Sequence, residues 1–161
     1  MKWNFVPFEP EHGKQICSWR YPAPYTVYNW KPWETMLEHA EEFADPAIRQ
    51  AQYEAVVDEN GDLCGFAQFF PLSGWTRIGL GMRPDLCGKG LGASFALAVA
   101  HRALARSPGT PVDLEVTVWN ERAIRAYLRA GFAVTDTYVR KTPTGQDEFH
   151  CMVFKPENRN A

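Results

Sequence analysis

Polar and apolar positions alternate from Lys2 to Phe8, the two-residue period of a strand with one buried face. Glu9 to Arg20 carries Ile16 and Trp19 and reads as a short helix. The run Tyr21-Pro22-Ala23-Pro24-Tyr25 ends it, because proline lacks an N–H and biases its predecessor towards extended backbone. Trp33 to Phe43 is a second predicted helix, with Pro32 at its first turn and Glu34, Glu38, Glu41 and Glu42 on its polar face. Tyr53 to Asp58 and Leu63 to Phe70 read as strands joined at Asn60-Gly61, the strongest short hairpin signal. After a turn at Pro71-Leu72-Ser73-Gly74 comes a third strand, Trp75 to Met82. A long helix is expected from about Gly90 to Arg106, ended by Ser107-Pro108-Gly109-Thr110-Pro111. Val112 to Trp119, rich in Val and Thr, reads as a strand. Asn120 suits the N-cap of a helix running through Ala130, with Gly131 just past its end. Phe132 to Lys141 and Phe149 to Phe154 form a last pair of strands across a turn at Thr144-Gly145.

The element order is therefore β-α-α-β-β-β-α-β-α-β-β. Hairpins, then a βαβ crossover, then another hairpin imply an α/β (α+β) fold. Its sheet is mixed and mostly antiparallel, of six to seven strands, with helices on both faces. A chain of 161 residues most simply makes one domain, here 1–161, with 155–161 expected to be a frayed tail. That length buries about two-thirds of the unfolded surface without disulfides.

Composition narrows the class. The 45% hydrophobic and 22% charged fractions are ordinary for a globular protein, and a net charge of −2 argues against a general nucleic-acid or membrane role. No apolar stretch reaches the roughly 20 residues of a membrane span, and the N-terminus lacks the apolar core of a signal peptide. Cys17, Cys64, Cys87 and Cys151 are scattered with no zinc or redox spacing. Cys64 and Cys151 sit in apolar runs, as small buried hydrophobes do. The expectation is a reduced, cytoplasmic protein without a metal.

Candidate chemistry starts at Cys87-Gly88-Lys89-Gly90-Leu91-Gly92, three alternating glycines at the start of the apolar run Ala93 to Ala100. The first turn of a helix has N–H groups without intrahelical partners and the positive end of the dipole, and glycines let a ligand approach them. That is a phosphate or pyrophosphate site. Read literally, Gly88 to Ala93 satisfies the dinucleotide pattern G-x-G-x-x-A, with Asp113 further on. Context rejects that reading. Arg83 to Cys87 intervenes between strand and glycines, and Asp113 falls at the wrong end of its strand. A P-loop is excluded, because no Gly-Lys-Ser/Thr follows a four-residue spacer.

The strand after the glycine helix leads into Asn120-Glu121-Arg122-Ala123-Ile124-Arg125-Ala126-Tyr127-Leu128-Arg129-Ala130-Gly131-Phe132. Taken with Met82-Arg83-Pro84 and Cys87 to Gly92, this resembles the GNAT superfamily of N-acetyltransferases. That family carries a hydrophobic-x-Pro strand end, then Arg/Gln-Gly-x-Gly-hydrophobic-Gly, then Asn-x-x-Ala-x-x-x-Tyr-x-x-x-Gly-Phe. The resemblance spans roughly Ile78 to Phe132, and the element order of the whole chain matches. One residue departs: Cys87 stands where the family usually has Arg or Gln, so the cradle must lean on backbone donors and Lys89.

The resemblance implies acetyl-CoA as donor and a primary amine as acceptor. It places the pyrophosphate on Gly88, Lys89, Gly90, Leu91, Gly92 and Ala93, with Cys87 beside it. The pantetheine arm would lie along the backbone of Leu80 and Met82, near Asn120, Ala123 and Tyr127. Gly79 and Gly81, unusual within a strand, read as a bulge that serves this ligand. Tyr127 is the family's usual general acid towards the CoA sulfur; a phenol stays protonated at neutral pH. Its bland alternative is a core tyrosine beside Ile124 and Leu128. No carboxylate precedes the glycine loop on its strand, so Glu115 is the candidate base, acting through water. Leu114, Val116 and Val118 share one strand face, and Glu115 and Thr117 the other.

Acceptor pockets in this family are built by the first two helices, their connection and the last hairpin. Trp19, Tyr21, Tyr25 and Tyr28 on that connection, Glu115, and His150 on the last strand are thus the candidate acceptor residues. The aromatics form either a plug over the sheet or a cleft for an apolar or cationic acceptor. The favoured function is acetyl transfer to a primary amine of a small molecule, peptide or protein. The alternative is a non-catalytic acyl-CoA-binding sensor module. Either would be a monomer or homodimer.

Overall fold

The computed structural model of the chain describes residues 1–156. The residues Glu157 to Ala161 of the expected tail lie outside the described residues. Lys155 is tied down: its N–H donates to the Gly131 carbonyl at 2.8 Å.

Seven strands form one sheet in the order β1-β2-β3-β4-β5-β7-β6. They are β1 (Asn4–Pro7), β2 (Tyr53–Val57), β3 (Leu63–Leu72), β4 (Trp75–Met82), β5 (Val112–Thr117), β6 (Phe132–Thr142) and β7 (Gly145–Phe154). The β1–β2, β2–β3, β5–β7 and β6–β7 pairs are antiparallel, and β4–β5 is parallel. This is the mixed, mostly antiparallel sheet expected, with seven strands. The α-helices are α1 (Pro10–Ser18), α2 (Trp33–Glu38), α3 (Pro46–Gln52), α4 (Gly92–Arg106) and α5 (Glu121–Ala130).

Helix α3 was not in the expected order. Asp45 caps it, its carboxylate accepting from the N–H of Ala47 at 2.8 Å and of Ile48 at 3.4 Å, with Pro46 at the first turn. Helix α2 stops at Glu38 rather than Phe43, because Ala40 and Glu42 take positive φ of 50° and 47°. That break lets Phe43 turn fully inward.

The chain forms two compact units, each with its own packing. The first comprises Met1–Gln68 and Leu80–Cys87, the second Phe69–Gly79 and the described residues from Gly88 on. In the first, Phe8, Ile16, Trp19, Trp33, Met36, Phe43, Tyr53 and Phe66 form one core cluster. Phe43 is its centre, with Phe8 stacked at 5.0 Å and Trp30 edge-on at 4.7 Å between ring centroids. In the second, α4 turns Phe95, Ala96, Val99, Ala100 and Ala103 inward, and Val112, Leu114, Phe132 and Met152 are buried.

Candidate active site

The glycine loop takes the backbone that its residues permit. Gly88 and Gly90 adopt φ of +74° and +78°, a left-handed region costly for any residue with a Cβ. A Cβ built on Gly90 would meet nothing within 4 Å, so the loop faces open space there. Helix α4 begins two residues later, and Phe95 N–H closes its first bond on the Leu91 carbonyl at 3.0 Å. Lys89 is exposed, and Ala93 lies half-buried in the first turn. An open, side-chain-poor loop running into a helix N-terminus fits a phosphate group.

Helix α5 follows its motif closely. The Asn120 side chain accepts from the Ala123 N–H at 3.2 Å and caps the helix. Gly131 closes it with φ of 107°. Tyr127 is half-buried, its ring 6.0 Å from Phe132 between centroids.

The end of β4 belongs to the first unit. The Met82 carbonyl accepts from the Tyr21 hydroxyl at 2.7 Å and from the Cys87 thiol at 3.7 Å. That thiol also approaches the Arg83 carbonyl at 3.7 Å, so Cys87 folds back on the strand end. Arg83 points elsewhere, to Asp85 and to the Leu63 carbonyl at 2.7 Å. Gly81 has a packing reason to lack a side chain: its Cβ would fall 2.3 Å from the Phe66 ring. Leu80 is half-buried.

The aromatic connection divides. Trp19 is a core residue, 9% exposed and packed in the cluster around Phe43, which answers the plug reading for that side chain. Tyr21 and Tyr25 are half-buried, and Tyr28 is exposed. Tyr21 is pinned at both ends, its N–H donating to the Asn29 side chain at 2.7 Å.

Glu115 is the centre of a charged network that sequence reading did not find. The Tyr138 hydroxyl donates to its Oε2 at 2.5 Å, Arg140 Nε lies 3.3 Å from the same oxygen, and Oε1 pairs with Arg140 at 3.2 Å and Arg77 at 3.6 Å. Burial and the bond to Glu115 raise the Tyr138 phenol above its ordinary pKa. Two residues earlier on the same face, Asp113 takes a two-pronged bond from Arg77, Nε to Oδ1 at 3.0 Å and the terminal nitrogen to Oδ2 at 2.9 Å. The Cys151 thiol also reaches Asp113 Oδ2 at 3.5 Å, and burial holds that thiol above its ordinary pKa. Beside these groups is a cavity of about 490 Å3 whose walls include Trp75, Arg77, Asp113, Asp136 and Tyr138. None of the sequence-predicted site residues lines it.

Register separates Glu115 from His150. In β5 and β7, Glu115 faces Cys151 and Val116 faces His150. Cross-strand partners share a face and neighbours along a strand do not, so the two candidate acceptor residues lie on opposite faces of the sheet. A pocket on one face of that sheet takes one of them and leaves the other on the far side. The His150 ring bonds the Thr137 hydroxyl at 2.7 Å. Arg77, Asp113, Tyr138 and Arg140 were invisible in the sequence because strand register alone brings them together.

A sequence model of the acetyltransferase (GNAT) family matches residues 14–132, a span that holds the glycine loop and the Asn120-to-Gly131 helix. The chain belongs to this family. Among curated proteins, a mycothiol acetyltransferase from Propionibacterium freudenreichii subsp. shermanii is 34% identical over 119 residues. The match takes in 65% of this chain and 35% of that protein, so the chain spans about a third of its relative's length. Solved structures of GNAT proteins share the fold. A chimera of the spermidine N-acetyltransferase SpeG from Vibrio cholerae and hSSAT superposes with a TM-score of 0.78 at 16% identity, over 100% of both chains. A GNAT-family acetyltransferase from Bacillus anthracis gives 0.76 at 14% identity, over 98% of this chain and 96% of its own.

Proposed function

We propose that the chain transfers an acetyl group from acetyl-CoA to a primary amine of a small molecule, peptide or protein. The carrying observation is the open loop with positive φ at Gly88 and Gly90 that runs into α4, in a chain of this family. In this reading the loop from Gly88 to Ala93 holds the pyrophosphate. The backbone of Leu80 and Met82 is assigned to the pantetheine arm, as are Asn120 and Ala123.

The amine nitrogen attacks the thioester carbonyl carbon, the C–S bond breaks, and an amide forms. The nitrogen loses one proton to water and the sulfur gains one, and the donor to sulfur is reprotonated from solvent. Tyr127 is the group assigned to supply the proton to sulfur. Donors from Tyr138 and Arg140 at both carboxylate oxygens of Glu115 support a part in fixing β6; in this reading the amine enters already neutral. Acting as a water-mediated base would require it to release one of those donors. Tyr21, Tyr25 and Tyr28 are assigned to the acceptor.

Thiol release from acetyl-CoA across a panel of amines tests the reading. Amine-dependent release is expected, with Tyr127→Phe lowering kcat by roughly a hundredfold or more. Tight CoA binding without turnover on any amine would favour a sensor. For Glu115→Gln, the pH–rate profile is expected to keep its shape. A lost basic limb would restore Glu115 as the base.

A further inference from the structure

We propose that the Arg122 guanidinium binds the pyrophosphate of the coenzyme at the glycine loop, supplying the charge that residue 87 of the loop does not. The inference rests on the acetyl-CoA reading above and adds to it the residue that recognises the phosphates.

Helix packing carries the argument. Asn120 fixes the first turn of α5 by capping it at Ala123. Within that helix, residues four apart lie one above the other, so Arg122 and Ala126 share a face. That face is pressed on the start of α4: a Cβ on Gly92 would fall 3.1 Å from the Ala126 Cβ. One turn back along α5, the same face meets the loop. A Cβ on Gly88 would lie 3.9 Å from the Arg122 Nη1, while one on Gly90 would meet nothing. The guanidinium thus flanks the open part of the loop.

Electrostatics point the same way. A cation in a helix's first turn sits at the positive end of the dipole, where it is disfavoured. An anion shared between that cation and the loop would offset the repulsion. The flat guanidinium fork matches two phosphate oxygens at once, which an ammonium on a flexible stem does not. Lys89 is such an ammonium, exposed at the loop tip. Cys87 offers a thiol turned onto the carbonyls of Met82 and Arg83.

The test measures binding of CoA and of dephospho-CoA, which keeps the pyrophosphate and lacks the 3′-phosphate. It also follows turnover with S-acetylpantetheine, which has neither. Arg122→Gln is expected to raise the Kd of both nucleotides by about tenfold, from the loss of one charge-assisted contact. The loss should be larger in dilute buffer than in concentrated salt. Turnover with S-acetylpantetheine should stay at the wild-type level, and Arg122→Lys should fall between. Unchanged CoA affinity in Arg122→Gln would overturn the proposal. Weakening confined to CoA, with dephospho-CoA unaffected, would overturn it by assigning Arg122 to the 3′-phosphate. Equal losses with S-acetylpantetheine would make Arg122 merely structural. A wild-type protein that binds no CoA would overturn the underlying reading instead.

Discussion

Replacing Arg77 by Met strikes the point where β4 and β5 run together. Their parallel register pairs Thr76 with Val112 and Arg77 with Asp113. The Asp113 side chain is 7% exposed and both its oxygens are engaged by Arg77, whose own side chain is 27% exposed. Removing the guanidinium leaves a largely buried carboxylate without the counter-charge that both its oxygens face, with the Cys151 thiol still 3.5 Å from Oδ2. Breaking a buried pair from one side costs about 3–5 kcal/mol, and the partial exposure of Arg77 puts this case near the lower end. For a domain of this size, a loss of about 3 kcal/mol lowers Tm by about 6–12 °C. Replacing both partners by apolar residues of similar volume, Arg77→Met with Asp113→Leu, removes the uncompensated charge and should recover most of that loss. Thermal and urea unfolding of the wild type, both single variants and the double variant form a cycle that isolates the coupling. A shift under about 2 °C for Arg77→Met, or a double variant worse than either single one, would mean that the buried Asp113 carboxylate does not depend on Arg77.

Other consequences follow from single contacts. Gly81→Ala drives a methyl against the Phe66 ring, so it should cost about 1–3 kcal/mol in urea unfolding and raise the KM for acetyl-CoA. Burial lowers the His12 pKa below its ordinary 6.5, against the opposing charge of Glu9, and the neutral ring accepts the Glu9 N–H at 2.9 Å. The unfolded chain therefore binds the proton more readily. The contribution of His12 is complete above pH 6.5 and is lost as pH falls through its lower folded value. Unfolding followed from pH 7 down to pH 5 should show His12→Gln losing less stability than the wild type.

Much of the fold could be read directly. Strand β4 falls at Trp75 to Met82 as expected, and α5 lies between its cap Asn120 and Gly131, because turn, cap and glycine signals there are local. Helix α3 was missed because seven residues carry one large apolar side chain, Ile48, and no period. Strand β7 starts at Gly145 rather than Phe149. Its outer pairs, such as Thr142 with Gly145, are polar and give no hydrophobic alternation. The backbone of the glycine loop was legible because its positive φ at Gly88 and Gly90 is written into the residue type. Partners of Glu115, the face of His150 and the approach of Arg122 to Gly88 depend on registers and helix crossings between distant segments. No local pattern encodes those.

In the proposed reaction the acetyl group of acetyl-CoA ends on an amine nitrogen. Isotope-labelled acetyl-CoA incubated with the protein and an amine panel, followed by mass spectrometry of the products, tests it most directly. A labelled amide on at least one amine is expected, formed at a rate that falls in Tyr127→Phe. Label that stays on CoA with every amine, while CoA itself binds tightly, would contradict it.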